Sequence, residues 1–191
     1  MGGTPTYCPS RIEAMTAPSR GEQIVSSAHL VSEASPELSE FEFGLIIAGH
    51  AFNRWIVRCM AATGLKDLGA LDVLVLHWVN HRDREKKLAD ICLALNVEDS
   101  HLVTYALKKL AKLGLIERRR RGKEIFFSTN EAGQAACARY REIREACLIA
   151  ALDPFTGDRV EALNPEIGRA AELLRALSGL YDQAARAATS L

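Results

Sequence analysis

Residues 99–133 read DSHLVTYALKKLAKLGLIERRRRGKEIFFSTNEAG. The stretch changes its period at Gly114. Before it, Leu102, Val103, Ala106, Leu107, Leu110 and Leu113 recur at spacings of roughly three and four, the inner face of an amphipathic helix, and Asp99 is a good N-cap. After it, LIERR and KEIFFS are short segments rich in β-branched or aromatic residues, joined around Arg121-Gly122. They predict a β-hairpin in which Gly122 supplies a positive φ. Asn130-Glu131 then starts another helix. Four arginines in a row, 118–121, repel one another. The run is therefore either a solvated loop or a surface that faces something negative.

Working upstream, KKLADICLALN (86–96) predicts a helix with Leu88, Ile91, Cys92 and Leu95 on one face, followed by a corner at Asn96-Val97-Glu98. LKDLGALDVLVLHWVNH (65–81) predicts a helix that is almost wholly apolar at its centre, and HRDRE ends it with charge. The first helix runs from either Ser35-Pro36 or a Ser39/Glu42 capping box to about Thr63, with Gly64 as its stop. Phe41, Leu45, Ala48, Phe52, Trp55, Ile56 and Cys59 form one apolar face, and Phe43, Ile46 and Ile47 widen it. A helix apolar on more than one face must be buried on more than one side, so a second subunit is one candidate cover. Downstream, a helix carrying Ala136, Tyr140, Ile143 and Cys147 on one side precedes a DPFTGD turn. A last helix spans about 165–188, capped by Asn164 with Pro165 in its first turn. Residues 1–35 are rich in Gly, Pro, Ser and Thr without sustained period and are read as a flexible arm.

The formal net charge of zero over 191 residues conceals a segregation. Leu107–Ile125 holds eight Lys/Arg against two Glu, whereas Met1–His50 holds two Arg against six Glu. That asymmetry, rather than the overall balance, points to an anionic partner. No apolar run approaches the roughly 20 residues that span a bilayer, and the N-terminus lacks the layout of a secretory signal, so a cytoplasmic protein without membrane partners is the expectation. None of Cys8, Cys59, Cys92, Cys137 and Cys147 forms a C-x-x-C pair.

Two short helices, a tight turn and a basic hairpin make a winged helix-turn-helix layout, mostly α with a small β-hairpin wing. From about Leu68 to Gly133 the sequence resembles the MarR-type transcription regulators. LADICLALNV matches the supporting helix and turn, SHLVTYALKKLAKLGLIERR the recognition helix and first wing strand, and IFFSTNEAG the second wing strand and the entry to the next helix. The wing here is shorter than is usual in that family, where a longer loop carries an Asp-x-Arg element; the tip is RRRRGK, and Lys123 aligns with a common arginine. The corner at Asn96-Val97-Glu98 is one residue longer. The resemblance implies a homodimer held by flanking helices. It divides the chain into an arm (1–35), an N-terminal dimerisation helix (36–64), a winged helix-turn-helix domain (65–130) and C-terminal dimerisation helices (131–191). It further implies binding to double-stranded DNA and release by a small ligand or a redox event, which no residue identifies.

On the outward face of the 99–113 helix, Ser100, His101, Thr104 and Tyr105 occupy the half that a recognition helix shows to base edges. Lys108, Lys109 and Lys112 are expected at phosphates, Lys109 only by snorkelling from off the face. In the hairpin, period-2 geometry sends Arg118 and Arg120 to the face opposite Arg119 and Arg121, so the four cannot share one groove. Arg120, Arg121 and Lys123 are expected at the tip, one of them in a minor groove.

Other constellations are weaker. His77 and His81 have a spacing compatible with zinc, but no H-E-x-x-H motif is present, and packing of one with exposure of the other is favoured over metal. His50, Arg54 and Arg58 share a helix face and suit ion pairs better than an acidic effector. Trp55 and Trp78 read as core or pocket wall. No nucleophile–base pair, phosphate loop or paired carboxylates emerge, so neither an enzyme nor a cofactor is expected. Two alternatives to a regulator of this kind stay open. One is a winged-helix module that docks an acidic protein. The other is a metal- or thiol-responsive variant using His77/His81 or Cys59.

Overall fold

The structure, a computed structural model, describes residues 28–152 and 160–191. The chain falls into two compact units, residues 1–52 and 53–191. Most of the expected arm, residues 1–27, lies outside the described residues. The first unit contains a 3-10 turn (Ala28–Leu30) and the start of helix α1 (Pro36–Ala62). Of the two helix starts offered by the sequence, the helix uses Pro36, whose missing N–H is harmless at that position. The Ser39/Glu42 box is not used. The Ser39 hydroxyl donates to the Leu30 carbonyl at 2.8 Å and accepts from Ser32 N–H at 3.2 Å, which ties the turn to the helix.

The second unit holds the end of α1, then α2 (Ala70–Asn80), a 3-10 turn (His81–Asp83), β1 (Lys86–Lys87), α3 (Leu88–Ala94), α4 (Ser100–Lys112), β2 (Ile116–Arg121), β3 (Glu124–Thr129), α5 (Glu131–Arg144) and α6 (Val160–Ala188). A π-helical turn, Glu145–Ile149, extends α5. The architecture is mostly α with a small antiparallel sheet, as expected, but the sheet has three strands in the order β1-β3-β2. Lys86 and Lys87, expected to open a helix, instead pair with Phe127 and Phe126. The second helix starts at Ala70, not at Leu65, and the last at Val160, leaving Asn164 and Pro165 inside it.

The core lies where α2, α3, α4 and the end of α1 meet. Met60, Val73, Val75, Leu76, Val79, Ile91, Val103 and Leu110 are buried. Each such aliphatic side chain stabilises the fold by roughly 1.5–3 kcal/mol. The inner face of α4 is narrower than its leucine pattern suggests. Val103, Ala106, Leu107 and Leu110 are buried, but Leu102 and Leu113 are 53% and 43% exposed.

Three local devices fix the wing to the helices. Gly114, at φ 69°, ends α4, and Leu115 N–H returns to Leu110 O at 3.0 Å, a Schellman closure. Asn130 caps α5 through Gly133 N–H (3.0 Å), and its amide donates to Gly114 O (2.8 Å), so one side chain joins the wing's root to its exit. A Cβ on Gly133 would stand 2.1 Å from Leu115 O, which is why only glycine lets α5 lie against the strand.

Candidate nucleic-acid interface

Helix α4 projects from this frame. Asp99 caps it by accepting from His101 N–H at 2.8 Å. Ser100, His101, Tyr105, Lys108 and Lys112 are exposed, Tyr105 at 71%, and Thr104 is half-buried. These six line one outward face, as their spacing required. Lys109 is not among them. Its ammonium lies 2.7 Å from Asp72 Oδ2, and the same oxygen accepts from Gly69 N–H at 2.8 Å. Asp72 thereby caps α2 and ties it to α4, and Lys109 turns toward it and off the outward face. The expectation that it snorkels outward is corrected. A side chain about 100° round the helix from Lys108 reaches the buried carboxylate more readily than solvent.

In the wing, strand register sorts the arginines. Arg118 pairs across the hairpin with Phe127, Arg119 with Phe126, Arg120 with Ile125 and Arg121 with Glu124. Gly122, at φ 61°, is the first residue of the two-residue turn. Arg119 and Arg121 share one face, and both reach Glu85, at 3.6 Å and 2.8 Å. Arg121 and Lys87 also lie over the Phe126 ring, at 5.3 Å and 5.4 Å. Lys87 pairs with Glu124 at 2.6 Å, and that hydrogen bond raises its pKa.

The opposite face is different. Arg118, Lys123, Thr104, Lys108, Leu107 and Phe127 line a cleft of about 610 Å³ between α4 and the hairpin. Arg120 is exposed and its Nε donates to Gly122 O at 3.1 Å, which braces the tip. All of Arg118–Arg121 and Lys123 are exposed. Glu85 and Lys87 escaped the sequence reading. A two-residue strand is too short to show a period, and Glu85 read only as a break between helices.

The remaining candidates fall elsewhere. His77 packs edge-on to Tyr140 (4.4 Å), and burial lowers its pKa; His81 is exposed and stacks on Trp78 (5.1 Å). The two rings thus engage different partners. Trp78 packs against the core and Trp55 is half-buried. His50, Arg54 and Arg58 are exposed. Cys59 is buried, its thiol 3.6 Å from Tyr140 O, and burial raises its pKa; burial pushes Cys137 up to about 11. Both shifts disfavour the reactive thiolate.

Residues 68–133, which contain α2 through the start of α5, match the family described as winged helix DNA-binding domain. That part of the chain is similar to winged helix DNA-binding domains. The fold is similar to that of solved MarR-type structures. RV1404 from Mycobacterium tuberculosis superposes with a TM-score of 0.61 at 15% identity over 74% of this chain and 95% of its own. FabT from Streptococcus pneumoniae, solved in complex with DNA, gives 0.58 at 15% identity over 72% and 99%. A mutant MarR from E. coli gives 0.56 at 18% identity over 66% and 93%. No curated protein matches the sequence.

Proposed function

We propose that the protein is a sequence-specific DNA-binding transcription regulator, a repressor that occupies a pseudo-palindromic operator as a homodimer. The observation that carries this reading is the single basic surface formed by α4 and the inner face of the wing. Ser100, His101, Thr104 and Tyr105 would read base edges from the N-terminal half of α4. Lys108, Lys112, Arg118, Arg120 and Lys123 would contact phosphates on either side. The match to a DNA-binding domain family and the likeness to FabT, a protein solved on DNA, support it.

Dimerisation is supported by two apolar faces, each exposed in its own unit. Ile46, Ile47 and Phe52 on α1 are 50–54% exposed, and Leu173, Leu174 and Leu180 on α6 are 41–53% exposed. Apolar area of that kind is characteristic of an interface. Two-fold protein symmetry would be mirrored in the DNA half-sites. Occlusion of a promoter is the simplest form of repression, and a small-molecule effector of unidentified structure would relieve it. No helix among the described residues is long and apolar enough to cross a membrane, which suits a regulator working on cytoplasmic DNA.

The test is capture of genomic fragments by the purified protein at near-physiological salt, followed by sequencing. A repeated two-fold-symmetric motif, lost in an Arg118→Gln/Arg120→Gln variant that keeps its fold, is the expected result. A folded protein that enriches no fragment would send the basic surface to an acidic protein partner instead.

A further inference from the structure

The wing holds four arginines, yet two of them are already matched. Glu85 lies between Arg119 and Arg121, immediately before β1, and its carboxylate reaches both guanidinium groups, at 3.6 Å and 2.8 Å. Glu124 neutralises Lys87 on the same face at 2.6 Å, and Phe126 lies beneath Lys87 and Arg121. That outer face therefore carries three cations against two carboxylates. Across the sheet, Arg118 and Lys123 border the cleft against α4 beside Lys108, and none of these three is ion-paired among the described residues.

We infer that Glu85 is a specificity-determining residue: it withholds Arg119 and Arg121 from the DNA backbone and makes the wing one-sided. The inference rests on the DNA-binding reading above. Its physical basis is that phosphate contacts add affinity without sequence information. A run of four free arginines would hold any duplex tightly, and non-specific sites vastly outnumber an operator. A carboxylate placed against half of the run removes that indiscriminate part. It leaves Arg118 and Arg120, the pair on the α4 side, to act together with the recognition helix. This is a repulsive element built against wrong partners rather than an attractive one for the right partner. Strand β1 holds this carboxylate in place. Two residues of pairing, Lys86 with Phe127 and Lys87 with Phe126, anchor Glu85 at the far edge of β3, and its carboxylate reaches across that strand to the outer arginines of β2.

The experiment uses the full chain and a mixed-sequence duplex of about 30 base pairs, with fluorescence anisotropy measured across a salt series. Glu85→Gln is expected to tighten binding by roughly three- to tenfold and to steepen the salt slope by about one to two per wing. Arg119→Gln/Arg121→Gln in the parent background is expected to weaken binding less than Arg118→Gln/Arg120→Gln does, because Glu85 already offsets one of the two charges. The decisive arm is Glu85→Gln in the Arg119→Gln/Arg121→Gln background, where clearly less tightening is expected, because only the repulsion of one carboxylate is relieved and no arginine is released. Equal tightening in both backgrounds would mean that Glu85 acts only as one more negative charge, and the inference fails. Unchanged or weaker binding by Glu85→Gln overturns it as well. A parent protein that binds neither this duplex nor any genomic fragment removes the DNA-binding reading and the inference with it. A parent that binds, with Glu85→Gln silent, removes the inference alone.

Discussion

Helix α4 and strand β2 each carry a row of cations, and they sort them by different rules. On the helix, Lys108 and Lys109 are adjacent in sequence but about 100° apart in direction. Lys108 faces the cleft and Lys109 turns inward to Asp72. On the strand the step is a half-turn, so Arg118 and Arg120 face α4, and Arg119 and Arg121 face Glu85. In both elements an acidic side chain from elsewhere in the chain takes the cations that point the wrong way. The difference is one of burial. Asp72 keeps only 10% of its side chain exposed and its pairing is structural, whereas Glu85 meets arginines that are 63% and 55% exposed. The helix pair holds the fold together, and the strand pair tunes what the surface offers.

The strongest way to break this arrangement is to unseat the joint between the two elements. Gly133→Ala puts a methyl 2.1 Å from Leu115 O, where backbone must move to accept it. The expected cost is about 3 kcal/mol, a fall in Tm of roughly 6–12 °C by thermal melting. A variant that melts with the parent would mean α5 does not press on the strand as described.

Next in size is Asp72→Ala. It removes the cap on Gly69 and leaves the Lys109 ammonium, 28% exposed, without its partner. A loss of about 2 kcal/mol in denaturant unfolding is expected, less than for a fully buried pair because Lys109 retains some solvent. Lys108→Gln should weaken binding to a mixed-sequence duplex by roughly threefold and flatten the salt slope by about one, with Tm unchanged. Lys109→Gln should lower Tm and leave the salt slope alone. If both lysines move the slope equally, Lys109 leaves Asp72 to reach DNA and the helix does not sort its charges.

Much of this domain was legible. Val103, Ala106, Leu107 and Leu110 on the inner face of α4, the Asp99 cap, the Gly122 turn and the split of the four arginines between two faces all follow from local sequence pattern, which is written in neighbouring residues. What escaped depends on residues distant in sequence. The Lys109–Asp72 pair bridges 37 positions, and the exposure of Leu102 follows from where α2 and α3 lie against α4. Strand β1 is too short to carry a period and exists because β3 offers it an edge. Pro165 reads as a first-turn proline, yet α6 begins at Val160. The π-helical turn after α5, where Ala150 N–H reaches Glu145 O at 3.0 Å, adds a residue that a helical pattern does not announce.

The smallest effect lies away from both cation rows and separates the stability of the domain from its surface charge. His77 Nε2 is buried without a hydrogen-bond partner, and the ring packs edge-on to Tyr140 at 4.4 Å. Burial lowers its pKa from 6.5, so the fold holds the neutral ring. Above that value the histidine is neutral in both folded and unfolded chains and contributes no pH dependence. Below it the unfolded chain takes up the proton and the folded one resists, so stability falls with pH until the folded value is passed. Between about pH 7.5 and pH 5.5, Tm of the parent should therefore drop further than that of His77→Gln, whose neutral amide has no proton to gain. Parallel curves for the two proteins would mean that the ring is protonated in place, with water or a carboxylate satisfying it. Binding to duplex DNA at the same two pH values, well below either Tm, should not distinguish the variants, because the charge that His77 avoids is a core charge and the charges proposed to meet DNA lie on α4 and the wing.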